Sequence, residues 1–204
     1  MSLSGKKVFF ADCEFRISEN VYEPAEDSFL FAENLTVDEG DVVLDMGTGC
    51  GILGIVAAGR AKKVVEVDIN PDAVHCAREN AELNRVVDKM HFVQGDLFAP
   101  FRNEQKFDLI LFNAPYLPTD SRDDHSWLGR AWAGGVAGRQ VIDRFIREAP
   151  QYLKENGQLL LMQSTLSKVQ RTLQQFESEG LAARVIAERD LPFFETLVLV
   201  EAKD

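Results

Sequence analysis

Short apolar runs alternate with helical patterns along most of this chain. Val42-Val43-Leu44 predicts a strand, and Ile52, Leu53, Ile55 and Val56 are spaced for one face of a helix after it. Val64-Val65-Glu66-Val67 predicts a second strand, ending at Asp68. Asn70-Pro71 starts a helix reaching about Leu83, because asparagine caps well and proline suits the first turn. Residues 90–94 read as a third strand, and Phe107-Asp108-Leu109-Ile110-Leu111-Phe112 as a fourth, apolar enough to be buried. Ile142, Phe145, Ile146, Ala149 and Leu153 fall on one helical face, with a kink at Pro150. Residues 158–162 form a fifth strand. Leu166, Val169, Leu173 and Phe176 make another helical face, stopped near Gly180. Residues 184–188 and 196–200 close the series as two strands with no helix between them, which predicts antiparallel pairing.

At the start, Val8-Phe9-Phe10 within residues 1–20 suggests an N-terminal extension or hairpin, and residues 27–34 a short helix with Phe29, Leu30 and Phe31 on its apolar face. Residues 117–137 carry no helix or strand pattern. Such a stretch in a compact domain is usually functional or disordered; this one holds Trp127, Trp132, Gly134 and Gly135 and is read as a lid or peptide-docking loop rather than a flexible insertion. Strands alternating with helices imply an α/β fold with a parallel sheet and right-handed crossovers.

The chemistry concentrates at two strand ends. The first strand runs into Asp45-Met46-Gly47-Thr48-Gly49-Cys50-Gly51, a glycine-rich turn before a helix. Such turns bring backbone N–H groups close to a ligand. Asp68 follows about twenty residues after the first glycine, where nucleotide-binding α/β folds place the acid that takes ribose hydroxyls. Gly49-Cys50-Gly51-Ile52-Leu53-Gly54 also satisfies the dinucleotide string, so the glycines alone leave the ligand open. Asp45 would repel a pyrophosphate but could hold an ammonium group, directly or through water. An adenosyl ligand with an amino-acid tail, such as S-adenosylmethionine, fits that better. No P-loop lysine is present.

The second strand end is Asn113-Ala114-Pro115-Tyr116. The asparagine carbonyl and the next backbone carbonyl can accept both hydrogens of a planar –NH₂ group, and the aromatic ring can cover a flat substrate. Asn-X-Pro also makes an ordinary turn, so the glycine loop gives this stretch its meaning.

These motifs, with Gly95-Asp96-Leu97, resemble those of class I S-adenosylmethionine-dependent methyltransferases. Val21-Tyr22-Glu23-Pro24-Ala25-Glu26-Asp27-Ser28-Phe29 and Trp132-Ala133-Gly134-Gly135 through Gly138-Arg139 are similar, more narrowly, to the HemK-like glutamine methyltransferases. The resemblance is strongest to the archaeal and eukaryotic branch that modifies class I release factors, and it covers about residues 8–200. One position departs: Ala114 stands where that family usually has proline.

The resemblance implies a seven-stranded Rossmann-like methyltransferase sheet in the order 3-2-1-4-5-7-6, with the last strand antiparallel. It implies one domain over residues 1–204, with residues 1–35 as N-terminal extension and cofactor lid. S-adenosylmethionine would be held by Ser28, Asp45, Gly47, Thr48, Gly49, Asp68, Ile69, Asp96, Leu97 and Asn113, with Asp68 on the ribose and Asp96 accepting from the adenine amino group. Asn113, Ala114, Pro115 and Tyr116 would form the catalytic motif. Asn113, Tyr116, Trp132, Gly134 and Gly135 would bind the substrate, a Gly-Gly-Gln segment of a release factor. A small zinc-binding activator protein would pair with the third-strand edge, made apolar by Met90, Phe92 and Val93.

Composition narrows the alternatives. A net charge of −11 argues against a large nucleic-acid footprint. That weighs against an adenine-N6 methyltransferase, whose target amino group needs the same acceptors. A non-catalytic adenosylmethionine-binding scaffold is a third reading, left open by Ala114. Cys13, Cys50 and Cys76 lack metal-ligand spacing, and His75, His91 and His125 are scattered, so no metal is expected. No apolar run approaches a membrane span and no signal-peptide core opens the sequence, so a cytoplasmic protein is expected.

Overall fold

The computed structural model describes residues 6–120 and 126–203. The N-terminal segment is a hairpin of β1 (Lys6–Phe10) and β2 (Cys13–Ile17), which form their own antiparallel pair. The remaining strands are β3 (Val42–Met46), β4 (Lys63–Asp68), β5 (Met90–Gln94), β6 (Phe107–Asn113), β7 (Leu153–Ser164), β8 (Ala182–Asp190) and β9 (Thr196–Lys203). They build one sheet in the order β5-β4-β3-β6-β7-β9-β8. Counted from β3, this is the expected 3-2-1-4-5-7-6. The pairs from β5 to β7 are parallel, and β9 runs antiparallel to both of its neighbours.

Successive strand residues point to opposite faces of the sheet. Val43, Val64, Leu109, Leu111 and Leu160 therefore join one buried cluster, and Leu44, Val65, Val67, Ile110 and Leu161 the other. A sheet covered on both faces needs continuous apolar strands rather than alternating ones, which is why these runs are legible in the sequence. The helices are α1 (Glu26–Glu33), α2 (Ile52–Ala58), α3 (Pro71–Leu83), α4 (Trp127–Arg130), α5 (Gln140–Glu148) and α6 (Val169–Ser178). Asn70 caps α3 as its residue type suggests, accepting from the Asp72 N–H.

The hairpin docks on α3 through side-chain amides that imitate a strand. Asn80 and Asn84, one helical turn apart, accept from the Arg16 and Glu14 N–H groups and donate to the carbonyls of the same residues. Each amide thus replaces one residue of a β-ladder, and the β2 backbone is satisfied without a third strand.

Three expectations are corrected. The helical face 142–153 breaks early: α5 ends at Glu148, a 3₁₀ turn covers Ala149–Tyr152, and Leu153 already belongs to β7. Pro150 has no N–H to continue the helix, so it ends the helix rather than kinking it. Leu166 is about half exposed (46%) in a 3₁₀ turn before α6, because Lys168, at φ +61°, separates the two. Within 117–137, Ser126 caps the single turn α4, which is too short to show a period.

At the third-strand edge, Met90 is buried and Phe92 and Val93 are half-buried against the two cores, while His91 and Gln94 are exposed. That edge is less apolar at its surface than the sequence suggests. His75 is exposed, whereas His125 lies outside the described residues. Among the described residues no cluster could hold a metal ion, and no helix is long and apolar enough to cross a membrane.

Candidate active site

A cavity of about 470 Å³ opens at the carboxyl ends of β3, β4 and β6, where ligands bind in open α/β sheets. Its wall includes Tyr22, Asp27 and Ser28 from the N-terminal segment, the glycine loop, Asp68, Asp96, Asn113 to Tyr116, and Trp127 and Trp132.

The glycine loop is tied to the neighbouring strand end. The N–H groups of Gly47 and Thr48 donate to the Val67 carbonyl, and the Gly49 N–H donates to Asp68 Oδ2 at 2.9 Å. Asp68 Oδ1 accepts from the Asn70 N–H at 2.9 Å. The carboxylate is therefore fixed by backbone on both oxygens, and each keeps a further lone pair for a ligand hydroxyl. Burial raises its pKa, and the Asn70 and Gly49 amides oppose that rise. Ile69 and Leu97 line the same end of the cavity.

Asp96 and Asp45 behave differently from expectation. Arg144 grips the Asp96 carboxylate with both guanidinium nitrogens, at 2.9 and 3.2 Å, so an adenine amino group there would share an existing ion pair. Asp45 is buried beneath the loop and is not part of the cavity wall. Its Oδ2 accepts from the Thr48 hydroxyl and the Gly54 N–H, which makes it a pin for the loop.

Asn113 ends β6. Its Nδ2 donates to Asp27 Oδ2 at 3.2 Å and to Ser28 Oγ at 3.3 Å, while its Oδ1 is buried with no protein donor. The Tyr116 hydroxyl donates to Asp27 Oδ2 at 3.3 Å, and the Tyr22 hydroxyl to Asp27 Oδ1 at 3.2 Å. Burial first, and the Asp27 charge second, raises both tyrosine pKa values, so both phenols remain donors. Ala114 is buried, and its N–H donates to the Met162 carbonyl at 3.4 Å. A proline at that position would lack this bond, so the alanine tethers the loop in another way.

The segment after α4 clamps this loop. Leu117 N–H donates to the Trp132 carbonyl, Gly134 N–H to the Leu117 carbonyl, and Thr119 N–H to the Gly135 carbonyl. A Cβ on Gly138 would collide with the Tyr116 carbonyl, and its φ of +66° is left-handed. A Cβ on Gly134 would strike the Gly138 backbone. Trp132 lines the cavity, but Gly134 and Gly135 do not; they act through the shape of the loop. Arg139, the last residue of that motif, is buried and binds Asp143, the Ser167 carbonyl, Thr172 and Gln175, stapling α5 to α6.

Sequence reasoning singled out Ser28 but missed Asp27, Tyr22 and Arg144. Tyr22 and Asp27 lay within the family-like segment, and a buried-carboxylate role has no local signature. Arg144 falls between two core positions of α5, where its charge reads as a solvated face.

The residues present fit an adenosyl ligand: the cavity volume is that of a small-molecule site, a fixed carboxylate sits at the glycine loop, and Asn113, whose carbonyl oxygen is unpartnered among the described residues, lines the same cavity.

Comparison with known proteins agrees with this geometry. The methyltransferase small domain model matches residues 21–127. A Methanocaldococcus jannaschii protein, provisionally named a protein N5-glutamine methyltransferase, is 43% identical over 91% of this chain and 93% of its own length. Methyltransferase HEMK2 of Mus musculus is 34% identical over 79% of this chain and 80% of its own. Among solved structures, Mtq2 of E. cuniculi superposes with a TM-score of 0.66 at 26% identity, covering 91% of this chain and 99% of that one. That structure is a complex with Trm112, described as responsible for methylating the translation termination factor eRF1. The chain belongs to the methyltransferase small-domain family, in its HemK-like glutamine methyltransferase branch.

Proposed function

We propose that this protein transfers a methyl group from S-adenosylmethionine to the side-chain amide nitrogen of a glutamine, the one in a Gly-Gly-Gln segment of a release factor. The observation that carries the reading is Asn113, a residue of the cavity wall whose buried Oδ1 has no donor among the described residues. A buried polar group left unpaired costs about 1–3 kcal/mol, and a substrate –NH₂ would recover it. The names of the relatives supply the substrate.

Asp68 and the glycine loop would hold the adenosyl moiety, with Ile69, Asp96 and Leu97 at its base end. Residues 20–28 line one side of the cavity and would serve as its lid. When bound there, S-adenosylmethionine supplies an electrophilic methyl group. An amide nitrogen is a poor nucleophile because its lone pair is delocalised. By accepting its two hydrogens, Asn113 Oδ1 and the Ala114 carbonyl would orient it and favour pyramidal geometry. Orientation of this kind contributes up to about 7–11 kcal/mol in ideal cases. Tyr116 would pack beside the reacting amide, and Trp132 would bound the peptide side of the cavity. The product proton would pass to water.

The partner reading rests on β5. It is the edge of the sheet, so one side of its backbone has no strand partner. The solved Mtq2 structure, in complex with Trm112, supports a small partner protein for this chain as well. We place it on the β5 edge, as a zinc-binding activator. A translation-factor substrate sets the reaction in the cytoplasm.

The test is labelled methyl transfer to a release factor, a version with the glutamine replaced by alanine, DNA and RNA. Label confined to the intact release factor is expected. Label in nucleic acid, or equal label in both release factors, would overturn the reading.

A further inference from the structure

Asp27 sits at the centre of the site with no role in the scheme above. It is buried, and its carboxylate accepts five hydrogen bonds: from the Ser28 N–H at 2.6 Å, the Ser28 and Tyr22 hydroxyls, Asn113 Nδ2 and the Tyr116 hydroxyl. The bonds divide by oxygen. Oδ1 takes Tyr22 and both donors of Ser28, whereas Oδ2 takes Asn113 and Tyr116.

A carboxamide has two nearly isosteric ends, so its partners fix which end points where. Ser28 Oγ gives its one hydrogen to Asp27 Oδ1 and so accepts from Asn113 Nδ2, a preference that itself depends on Asp27. A carboxylate only accepts. Turned the other way, Asn113 would set its carbonyl oxygen against Asp27 Oδ2 and present –NH₂ to the cavity, where it would oppose the substrate –NH₂.

We propose that Asp27 is a positioning residue that locks the Asn113 carboxamide with Nδ2 toward the N-terminal segment and Oδ1 toward the cavity. This rests on the glutamine-methylating reading for its consequence but not for its geometry. Asp27 also gathers Tyr22, Ser28, Asn113 and Tyr116 around one group, so the lid segment and the catalytic motif are aligned together.

The arrangement makes an unusual demand on substitutions. In Asp27→Asn, the Ser28 N–H keeps an oxygen at the Oδ1 place, so the new –NH₂ takes the Oδ2 place. It then faces Asn113 Nδ2 and forces that carboxamide to turn over. Asp27→Ala releases Asn113 without forcing it. The isosteric variant should therefore be the worse enzyme and the better folded protein. If Asp27 only anchored α1, asparagine would be milder than alanine in both respects.

The experiment measures kcat, KM and melting temperature for the wild type, D27N and D27A, together with hydrogen exchange of the assigned Asn113 side-chain amide by NMR. We expect kcat to fall at least about a hundredfold in D27N and about tenfold in D27A, with KM for cofactor within about threefold. The Asn113 –NH₂ should exchange slowly in the wild type and fast in both variants. D27N retaining more activity than D27A, or fast exchange in the wild type, would overturn the proposal. A wild type that does not methylate glutamine would instead overturn the proposed function, and the exchange measurement would still decide the role of Asp27.

Discussion

Asp45 and Glu66 are paired across β3 and β4, and their buried carboxyl groups lie together beneath the glycine loop. Asp45 Oδ1 and both Glu66 oxygens have no protein donor. Gly54 of α2 presses on Glu66, with no room for a Cβ between them. Two buried carboxyl groups in contact favour holding a proton between them. Burial is the main cause of the shift in both: it raises Asp45 to about 7 and Glu66 well above its usual range.

Because the folded pKa lies above the unfolded one, the pair favours folding most fully below about pH 4. The Asp45 share of that contribution is lost as pH rises through about 7. Glu66→Gln places a permanent donor beside Asp45 and removes one titrating group. It should flatten stability against pH over this window and stabilise the protein at about pH 8 by about 1–3 kcal/mol. Urea denaturation at acid and alkaline pH reads this, and an unchanged pH slope would contradict the shared proton.

Asp68→Ala should weaken S-adenosylmethionine binding by about 1–3 kcal/mol, since it removes charge-assisted hydrogen bonds to the ribose. It also frees the Gly49 N–H, so part of the loss would reflect a looser glycine loop. Calorimetry on folded protein reads both, and unchanged affinity would remove Asp68 from the ribose.

Asn113→Ala should lower kcat by about a hundredfold or more while cofactor affinity falls much less, because the acceptor serves the reacting nitrogen. Single-turnover kinetics is the measurement. A mutant that keeps most of its rate would exclude Asn113 from the chemical step.

The fold was legible in the sequence because both faces of the sheet are covered. Val42 to Leu44, Val64-Val65 and Leu109 to Phe112 had to be apolar, with Asp45, Glu66 and Asp108 the exceptions in those strands, and the glycine loop and Asp68 fell at strand ends by spacing alone. The misreadings came where one residue breaks a period. Pro150 stops a helix whose apolar pattern continues into Leu153, and Lys168 separates Leu166 from α6. The site was half legible. Asn113 and Tyr116 announce themselves by motif. Asp27, which accepts from both, lies about ninety residues earlier in the chain, and only folding brings them together. The Asp45 bonds to Thr48 and Gly54 were not legible, because a strand-end carboxylate reads the same whether it faces a cavity or a buried neighbour.

The β5 edge gives a prediction about assembly. Co-expression with a small zinc-binding activator from the same source should yield a one-to-one complex more soluble or more active than the isolated chain. Changing exposed Gln94 to proline would remove a backbone donor from that edge and should weaken the complex. A fully active, monodisperse isolated chain that forms no complex would refute the assignment.

The most direct measurement is tandem mass spectrometry of a release factor after reaction with the protein and S-adenosylmethionine. The expected result is a single methyl group on the side-chain nitrogen of the Gly-Gly-Gln glutamine, present with wild type and lost with Asn113→Ala. A methyl group on any other residue of that peptide, or an unmodified glutamine after complete reaction conditions, would contradict glutamine methylation as the function of this site.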